Sequence, residues 1–137
     1  MYNLKRILVI GMVVFCFFVS LTALYGFDEK QVQALKKTSK CTKCDLSGAK
    51  LNNLELEYAD VSSANLSGAD LSNSMLSNAN LSKANLSGAN LSGTNLSFAN
   101  LSGADVSKAN LANVFLDQAT WINGKMCKIG SIGKCKQ

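Results

Sequence analysis

The sequence contains no histidine. A chain without histidine cannot build Ser-His-Asp or Cys-His nucleophile systems, nor a histidine-ligated metal or haem site. It also lacks proline, which excludes cis-proline turns and proline-rich linkers. Charged residues are only 17% of the 137 residues and apolar ones are 47%, so the composition of a disordered chain is absent. The length allows one folded domain, two at the very most. The missing histidine argues against an enzyme, and no cofactor or metal is expected.

Residues 1–26 differ from the rest of the chain. Two basic residues, Lys5 and Arg6, precede 21 uncharged residues that run from Ile7 to Phe27 and are rich in Ile, Val, Phe and Leu. A positive start followed by an apolar run is typical of a secretory signal peptide. The segment is therefore predicted to export the protein.

The point of cleavage is open. Ala23 and Gly26 are the candidate residues, but leucines lie at the −3 position of both, at Leu21 and Leu24. An apolar run of roughly 20 residues can also span a bilayer, so residues 7–27 could remain as an inner-membrane anchor with its positive end in the cytoplasm. Both interpretations place the remainder of the chain outside the cytoplasm.

A five-residue repeat dominates the chain after residue 43. From Cys44 to Gln118 the chain divides into fifteen consecutive units without an insertion, and a sixteenth begins at Ala119. Each unit has an apolar centre, usually preceded by Asn or Asp and followed by Ser, with alanine two residues before the centre in eleven of the sixteen units. The central residues are Leu46, Leu51, Leu56, Val61, Leu66, Leu71, Leu76, Leu81, Leu86, Leu91, Leu96, Leu101, Val106, Leu111, Leu116 and Trp121.

A period of five fits neither ordinary element. On an α-helix a step of five residues is about 500°, so the leucines would wander around the axis. On a flat strand five is odd, so successive leucines would point to opposite faces. The leucines can share one interior only if the chain turns once per unit, which predicts an all-β solenoid of very short strands and tight turns.

The departures from alanine indicate how many units close one coil. Leu54, Ser74, Thr94 and Val114 replace alanine at intervals of 20 residues. This spacing favours four units per coil and a square cross-section. Sixteen units then make about four coils, and at ~4.8 Å per layer the body is about 19 Å long.

Units such as Ala69-Asp70-Leu71-Ser72-Asn73 resemble the pentapeptide-repeat family, whose pattern is Ala, Asp or Asn, Leu and two variable residues. The flanks resemble a secreted bacterial subtype, with Cys41-Thr42-Lys43-Cys44 in front and a cysteine-containing segment after Trp121. The resemblance implies a right-handed quadrilateral β-helix with four units per coil. It implies no single activity, because this fold serves unrelated functions.

The solenoid, residues 44–121, needs a cover at each end to hide strand edges and core leucines. Residues 27–43 are predicted to form the N-terminal cap, a short helix capped by Asp28 that places Val32 and Leu35 on the first coil. Residues 122–137 are predicted to close the other end. The apolar residues expected to form that lid are Trp121, Ile122, Met126, Ile129 and Ile132.

Four of the five cysteines lie outside the leader, which contains Cys16. An even number in an exported protein predicts disulfides. Bridged α-carbons lie within about 7 Å, so the length of the solenoid favours pairing within each end: Cys41 with Cys44, and Cys127 with Cys135. A redox-active CxxC motif and a zinc site using all four cysteines are the alternatives.

The repeat body carries seven carboxylates and three lysines, a net charge of −4. Some proteins of the resembled family mimic DNA with an acidic surface and protect gyrase, so such a DNA mimic is an alternative function. The body is only weakly acidic, and export would separate it from gyrase. The charged residues are Asp45, Glu55, Glu57, Asp60, Asp70, Asp105 and Asp117 with Lys50, Lys83 and Lys108.

Four outward positions are apolar on a surface otherwise made of Asn, Ser, Asp and Gly: Tyr58, Met75, Phe98 and Phe115. With 20 residues per coil they fall on one side, one per coil, in a zigzag. An aligned apolar stripe indicates a binding or dimer face, whereas scattered apolar residues are ordinary surface variation.

We therefore predict an exported, non-enzymatic structural or protein-interaction module of the cell envelope, periplasmic or secreted. Its partner would be an unknown protein or a second copy, with no nucleic acid. Membrane association is expected only if the leader is retained, and a membrane-anchored envelope scaffold is the corresponding alternative.

Overall fold

The structure, a computed structural model, describes residues 28–137. The signal peptide or anchor predicted for residues 1–26, together with Cys16, lies outside these residues. Within the described part of the chain, no helix has the length and apolar character needed to cross a membrane.

The described chain begins with helix α1, Glu29–Thr38, where the sequence predicts a capping helix. The Asp28 side chain caps it by accepting a hydrogen bond from the Lys30 N–H at 2.9 Å. Val32 and Leu35 are buried on its inner face. Because the leucines of the first coil are also buried, α1 covers the front of the solenoid.

The body is a repeat solenoid held together by isolated parallel β-bridges. Thirteen of them join residues 20 positions apart, from Lys40 with Asp60 to Asn100 with Thr120. Each bridge is one residue pair wide, so residues 28–137 contain no longer strand. The first bridge lies inside the segment 27–43 that the sequence assigns to the cap.

Each unit that is followed by another layer contributes two backbone hydrogen bonds to that layer and one to its own turn. Leu86 N–H donates to Asp105 O at 2.7 Å, Gly88 N–H to Ser107 O at 2.8 Å, and Ala89 N–H to Leu86 O at 3.0 Å. The turn leaves Gly88 at φ +66°. Left-handed backbone favours glycine and asparagine, which explains their frequency at this position of the repeat.

The core consists of the central leucines and the alanines two residues before them, almost all buried. Ser74 and Thr94 take alanine positions and are also buried. Their hydroxyls donate to carbonyls of the preceding coil, Ser74 to Leu51 O at 2.6 Å and Thr94 to Leu71 O at 2.8 Å. The interior therefore accepts these two polar residues because each has a backbone partner.

The C-terminal segment reverses direction. It turns at Gly124, which has φ +77°, and runs back in antiparallel bridges that pair Thr120 with Met126 and Phe115 with Ile132. It therefore covers the last two units, 114–118 and 119–123.

The prediction of an apolar lid is wrong for four of its five residues. Ile122, Met126, Ile129 and Ile132 are exposed, and only Trp121 is partly buried against the core. The antiparallel return explains this: Cys127 and Ser131 are the buried residues of the segment, and alternation along an extended chain turns their neighbours Met126 and Ile132 outward.

Candidate functional site

The four predicted stripe residues lie on one side of the solenoid, which we call the aromatic side. It comprises units 54–58, 74–78, 94–98 and 114–118, which succeed one another at the 20-residue bridging interval. Tyr58 is 75% exposed, Met75 42%, Phe98 55% and Phe115 44%. All four side chains are thus available to a partner.

The exposed residues occupy two adjacent columns. In the first column, bridges link Glu55, Met75, Asn95 and Phe115 in succession, and an antiparallel bridge adds Ile132. From Glu55 to Phe115 polar and apolar residues alternate, so Met75 and Phe115 are two layers, or about 9.6 Å, apart. The repeat pattern alone does not reveal Ile132 as a member, because its position depends on the chain reversal.

The second column lies at the turn position of each unit. It contains Tyr58, Asn78, Phe98 and Gln118, and all four have positive φ, between 56° and 63°. Tyr58 and Phe98 lie in layers that alternate with the layers of Met75 and Phe115, so the apolar side chains form a zigzag along the aromatic side.

Positive φ makes the two aromatic residues unusual. Tyr58 has φ 60° and Phe98 has φ 63°. A bulky residue rarely adopts this conformation, and a glycine or asparagine would do so with less strain. Since both rings are also exposed, the fold itself gains little from having them there.

The other three sides carry polar ladders at the position of the first column. Asn65 Nδ2 donates to Asp45 Oδ1 at 3.1 Å, and Asn90 Nδ2 donates to Asp70 Oδ1 at 3.1 Å. Asn80 does the same to Asp60 at 3.2 Å. On the aromatic side Met75 and Phe115 cannot form such contacts, so these residues replace a stabilising ladder with exposed apolar surface.

The four units of the aromatic side carry only negative formal charges, and the C-terminal segment brings Lys128 next to Gln118 at their end. Glu55, Glu57 and Asp117 are the three ionisable acids of these four units, which contain no lysine or arginine. Asp117 also anchors the C-terminal segment, because its Oδ1 accepts hydrogen bonds from Gly130 N–H at 2.8 Å and Ser131 N–H at 3.0 Å.

Three aspartates outside the aromatic side have a pKa below the usual value. Hydrogen bonds from the side chain and backbone of the serine two residues later lower the pKa of Asp60 and of Asp70. For Asp105 the largest cause of the lowered pKa is the hydrogen bond from the Ser107 backbone. These carboxylates stabilise turns, which is a structural role.

The four cysteines are joined in two disulfides. Cys41 bonds Cys44, with α-carbons 5.3 Å apart, and Cys127 bonds Cys135, with α-carbons 5.1 Å apart. The first pair lies at the front of the solenoid beside α1 and the second in the C-terminal segment. Among residues 28–137, no group of three or more Cys, Asp or Glu side chains is placed to hold a metal ion.

Comparison with solved structures identifies other pentapeptide-repeat proteins. HetL, from the cyanobacterium Nostoc sp. strain PCC 7120 and involved in heterocyst differentiation regulation, is 35% identical, with a TM-score of 0.61 over 64% of this chain. A pentapeptide-repeat protein from the thylakoid lumen of Arabidopsis thaliana is 31% identical, with a TM-score of 0.58 over 70% of this chain. The aligned part is only 40% of HetL and 63% of the Arabidopsis protein.

A search of curated proteins found no match to the chain. The family described as "Pentapeptide repeats" matches in eight copies, in overlapping segments from residue 39 to residue 120. These segments include more than half of the sequence and coincide with the bridged body of the solenoid. The chain therefore belongs to the pentapeptide-repeat family.

Proposed function

We propose that this chain is an exported, non-enzymatic protein-interaction module of the cell envelope and that the aromatic side is its contact surface. One observation carries the proposal: exposed apolar residues are aligned on one side, at positions where the other sides carry Asn and Asp ladders. Aromatic residues and methionine are also enriched in the cores of protein interfaces.

The proposed scaffold is a right-handed quadrilateral β-helix with four units per coil and about four coils. The constant 20-residue interval of the parallel bridges supports it, because four five-residue units fit between successive partners. A scaffold of this kind holds the aromatic side rigid, so little conformational entropy is lost when a partner binds.

The proposed location is the periplasm or the exterior of the cell. Disulfides persist in oxidising compartments and are rare in the cytosol, and both cysteine pairs are bonded here. The leader-like start of the sequence supports export independently. The similar Arabidopsis protein comes from a thylakoid lumen.

The proposed partner is a different protein that presents apolar residues with lysine or arginine around them. The three acids in the four repeat units of the aromatic side, which contain no base, attract such a surface. Two copies meeting through this side would bring like charges together, which opposes a dimer formed that way. Exposed Tyr58 and Phe98 can also receive cations on their rings.

The test is a double variant, Phe98→Asn with Phe115→Asn. It copies what the neighbouring layers already have, since Asn78 and Asn95 occupy the same two columns. Asn95 Oδ1 accepts the Ser97 N–H at 3.0 Å, and we expect an asparagine at 115 to serve Asp117 in the same way.

The variant should melt at the temperature of the parent or above it, yet lose capture of envelope proteins by immobilised protein. A matched control is Lys83→Asn, which changes the same turn position on a different side and should retain capture. Equal capture by the double variant and the parent would refute a contact role for the aromatic side.

A further inference from the structure

A second surface lies at the C-terminal end of the solenoid, away from the aromatic side. The returning segment covers units 114–118 and 119–123, whereas units 104–108 and 109–113 have no layer after them. Val106, Ala109 and Leu111 are accordingly only partly buried against the core.

Backbone groups along this edge are unpaired. Within residues 28–137, the N–H groups of Val106, Lys108 and Leu111 have no hydrogen-bond acceptor, and the carbonyls of Ala104 and Ala109 have no donor. One coil earlier every equivalent group is paired. The equivalent bonds are Leu86 N–H to Asp105 O, Gly88 N–H to Ser107 O, Leu91 N–H to Asn110 O, Asp105 N–H to Ala84 O and Asn110 N–H to Ala89 O, at 2.7–3.0 Å.

The edge is free because the chain leaves the register at its last turn. Ile122 O still accepts from Gly103 N–H, but Lys125 O then accepts from Trp121 N–H instead of continuing the coil. The N–H of Asn113 also has no acceptor among the described residues, but Gly133 packs beside it: a Cβ added to Gly133 would lie 3.5 Å from Leu111 O and 3.9 Å from Asn113 N. The open edge thus spans residues 104–111, enough for an extended segment of about eight residues.

We propose that this open edge binds an extended segment of a partner protein by β-augmentation, in which the segment pairs as the missing part of a coil. Five unpaired backbone groups in repeat register provide the main-chain hydrogen bonds. The partly buried apolar residues provide an apolar strip beside them. A second copy stacked front to back is disfavoured, because α1 covers the front of the solenoid.

Two charged side chains on the edge define the segment that fits. Asp105 belongs to a column in which Asn65 Nδ2 already donates to Asp45 Oδ1, so an amide side chain is preferred opposite it. Lys108 occupies a turn position and is exposed. A carboxylate fits opposite Lys108. The partner segment is therefore an amide-bearing, acidic strand.

The chain itself supplies a probe. Residues 84–91 have the sequence Ala-Asn-Leu-Ser-Gly-Ala-Asn-Leu and occupy the same two sides of the solenoid as the open edge, one coil earlier. There they pair with the coil before them, where Leu66 N–H donates to Asn85 O at 2.7 Å. The test peptide is this sequence with Gly88→Asp, which places a carboxylate opposite Lys108. Aspartate tolerates the left-handed turn conformation. The control peptide carries Gly88→Lys and matches residues 79–86 of the chain.

The measurement is amide hydrogen exchange by NMR on protein purified from the cell envelope, with each peptide added in turn. The aspartate peptide should slow exchange of the Val106, Lys108 and Leu111 amides by about tenfold or more. The lysine peptide should bind about two- to tenfold more weakly, as expected for reversing one exposed charge contact. The variant Lys108→Glu should reverse this preference.

Three results would overturn the inference. The edge amides could already exchange slowly in the protein alone as a monomer, which would mean that the edge is covered from within the chain. They could be protected in a dimer seen by sedimentation, which would make a second copy the occupant. The third result is that neither peptide slows the exchange of the edge amides at millimolar concentration. None of these outcomes bears on the aromatic side, so the proposed function is tested separately.

Discussion

Leu86→Ala is the substitution that tests the stacked core most simply. Leu86 is fully buried, and its column continues through Leu66 and Val106 in the adjacent coils. Truncation removes three carbons, which contribute about 2.4 kcal/mol at about 0.8 kcal/mol each. Because rigid layers above and below hinder collapse of the cavity, we expect a total loss of about 2–5 kcal/mol.

Leu111→Ala is the matched control, because it makes the same chemical change at the partly exposed end of the solenoid. Its loss of unfolding free energy should be clearly smaller than that of Leu86→Ala. At about 4–8 °C per kcal/mol for a domain of this size, Leu86→Ala should lower the melting temperature by at least about 8 °C. Equal melting temperatures for Leu86→Ala and the parent, or a larger effect of Leu111→Ala, would refute the stacked core.

Two further predictions concern the disulfides and the turn aspartates. Breaking the Cys127–Cys135 bond with Cys135→Ser should destabilise the C-terminal segment by about 2–3 kcal/mol, as chemical denaturation would show; an unchanged midpoint would mean that the bond is not formed in the purified protein. The folded state lowers the pKa of Asp60 and of Asp70. The stabilisation that these carboxylates provide is therefore present above their unfolded pKa, near 3.9, and is lost as the pH falls through their lower folded pKa. The double variant Asp60→Asn with Asp70→Asn retains an acceptor for the serine N–H but cannot titrate. Its stability should therefore fall less than that of the parent between pH 5 and pH 2, and an identical dependence of stability on pH would contradict this.

The repeat could be predicted from the sequence because each unit repeats the same local physics. The period of five excludes both a helix and a flat strand, and the departures at Leu54, Ser74, Thr94 and Val114 predict the 20-residue interval of the bridges. Helix α1 was also predictable, since its capping residue and its buried pair lie close together in sequence.

The C-terminal end could not be predicted in the same way. Residues 122–137 form no repeat, and their apolar residues look like a lid only if their side chains are assumed to face the core. The direction of the chain after Trp121 decides this, and it is set by the turn at Gly124 and the antiparallel bridges beyond it. The dipeptide Asn123-Gly124 is a turn signal, but it does not reveal which sides the chain covers afterwards.

The two surfaces differ in how far they can be predicted, for the same reason. The zigzag of Tyr58, Met75, Phe98 and Phe115 results from the repeat alone. The addition of Ile132 to the stripe and the open edge at residues 104–111 both result from the reversal, so only the structure reveals them.

The most direct test of the contact role of the aromatic side is site-specific photo-crosslinking in living cells. A photoreactive phenylalanine analogue would replace Phe98 in one strain and Lys83, at the same turn position on another side, in a second strain. A contact role predicts a discrete crosslinked adduct from position 98 that is absent from position 83 and disappears when Phe115→Asn is added. Identical adducts from both positions, or none from position 98, would contradict it.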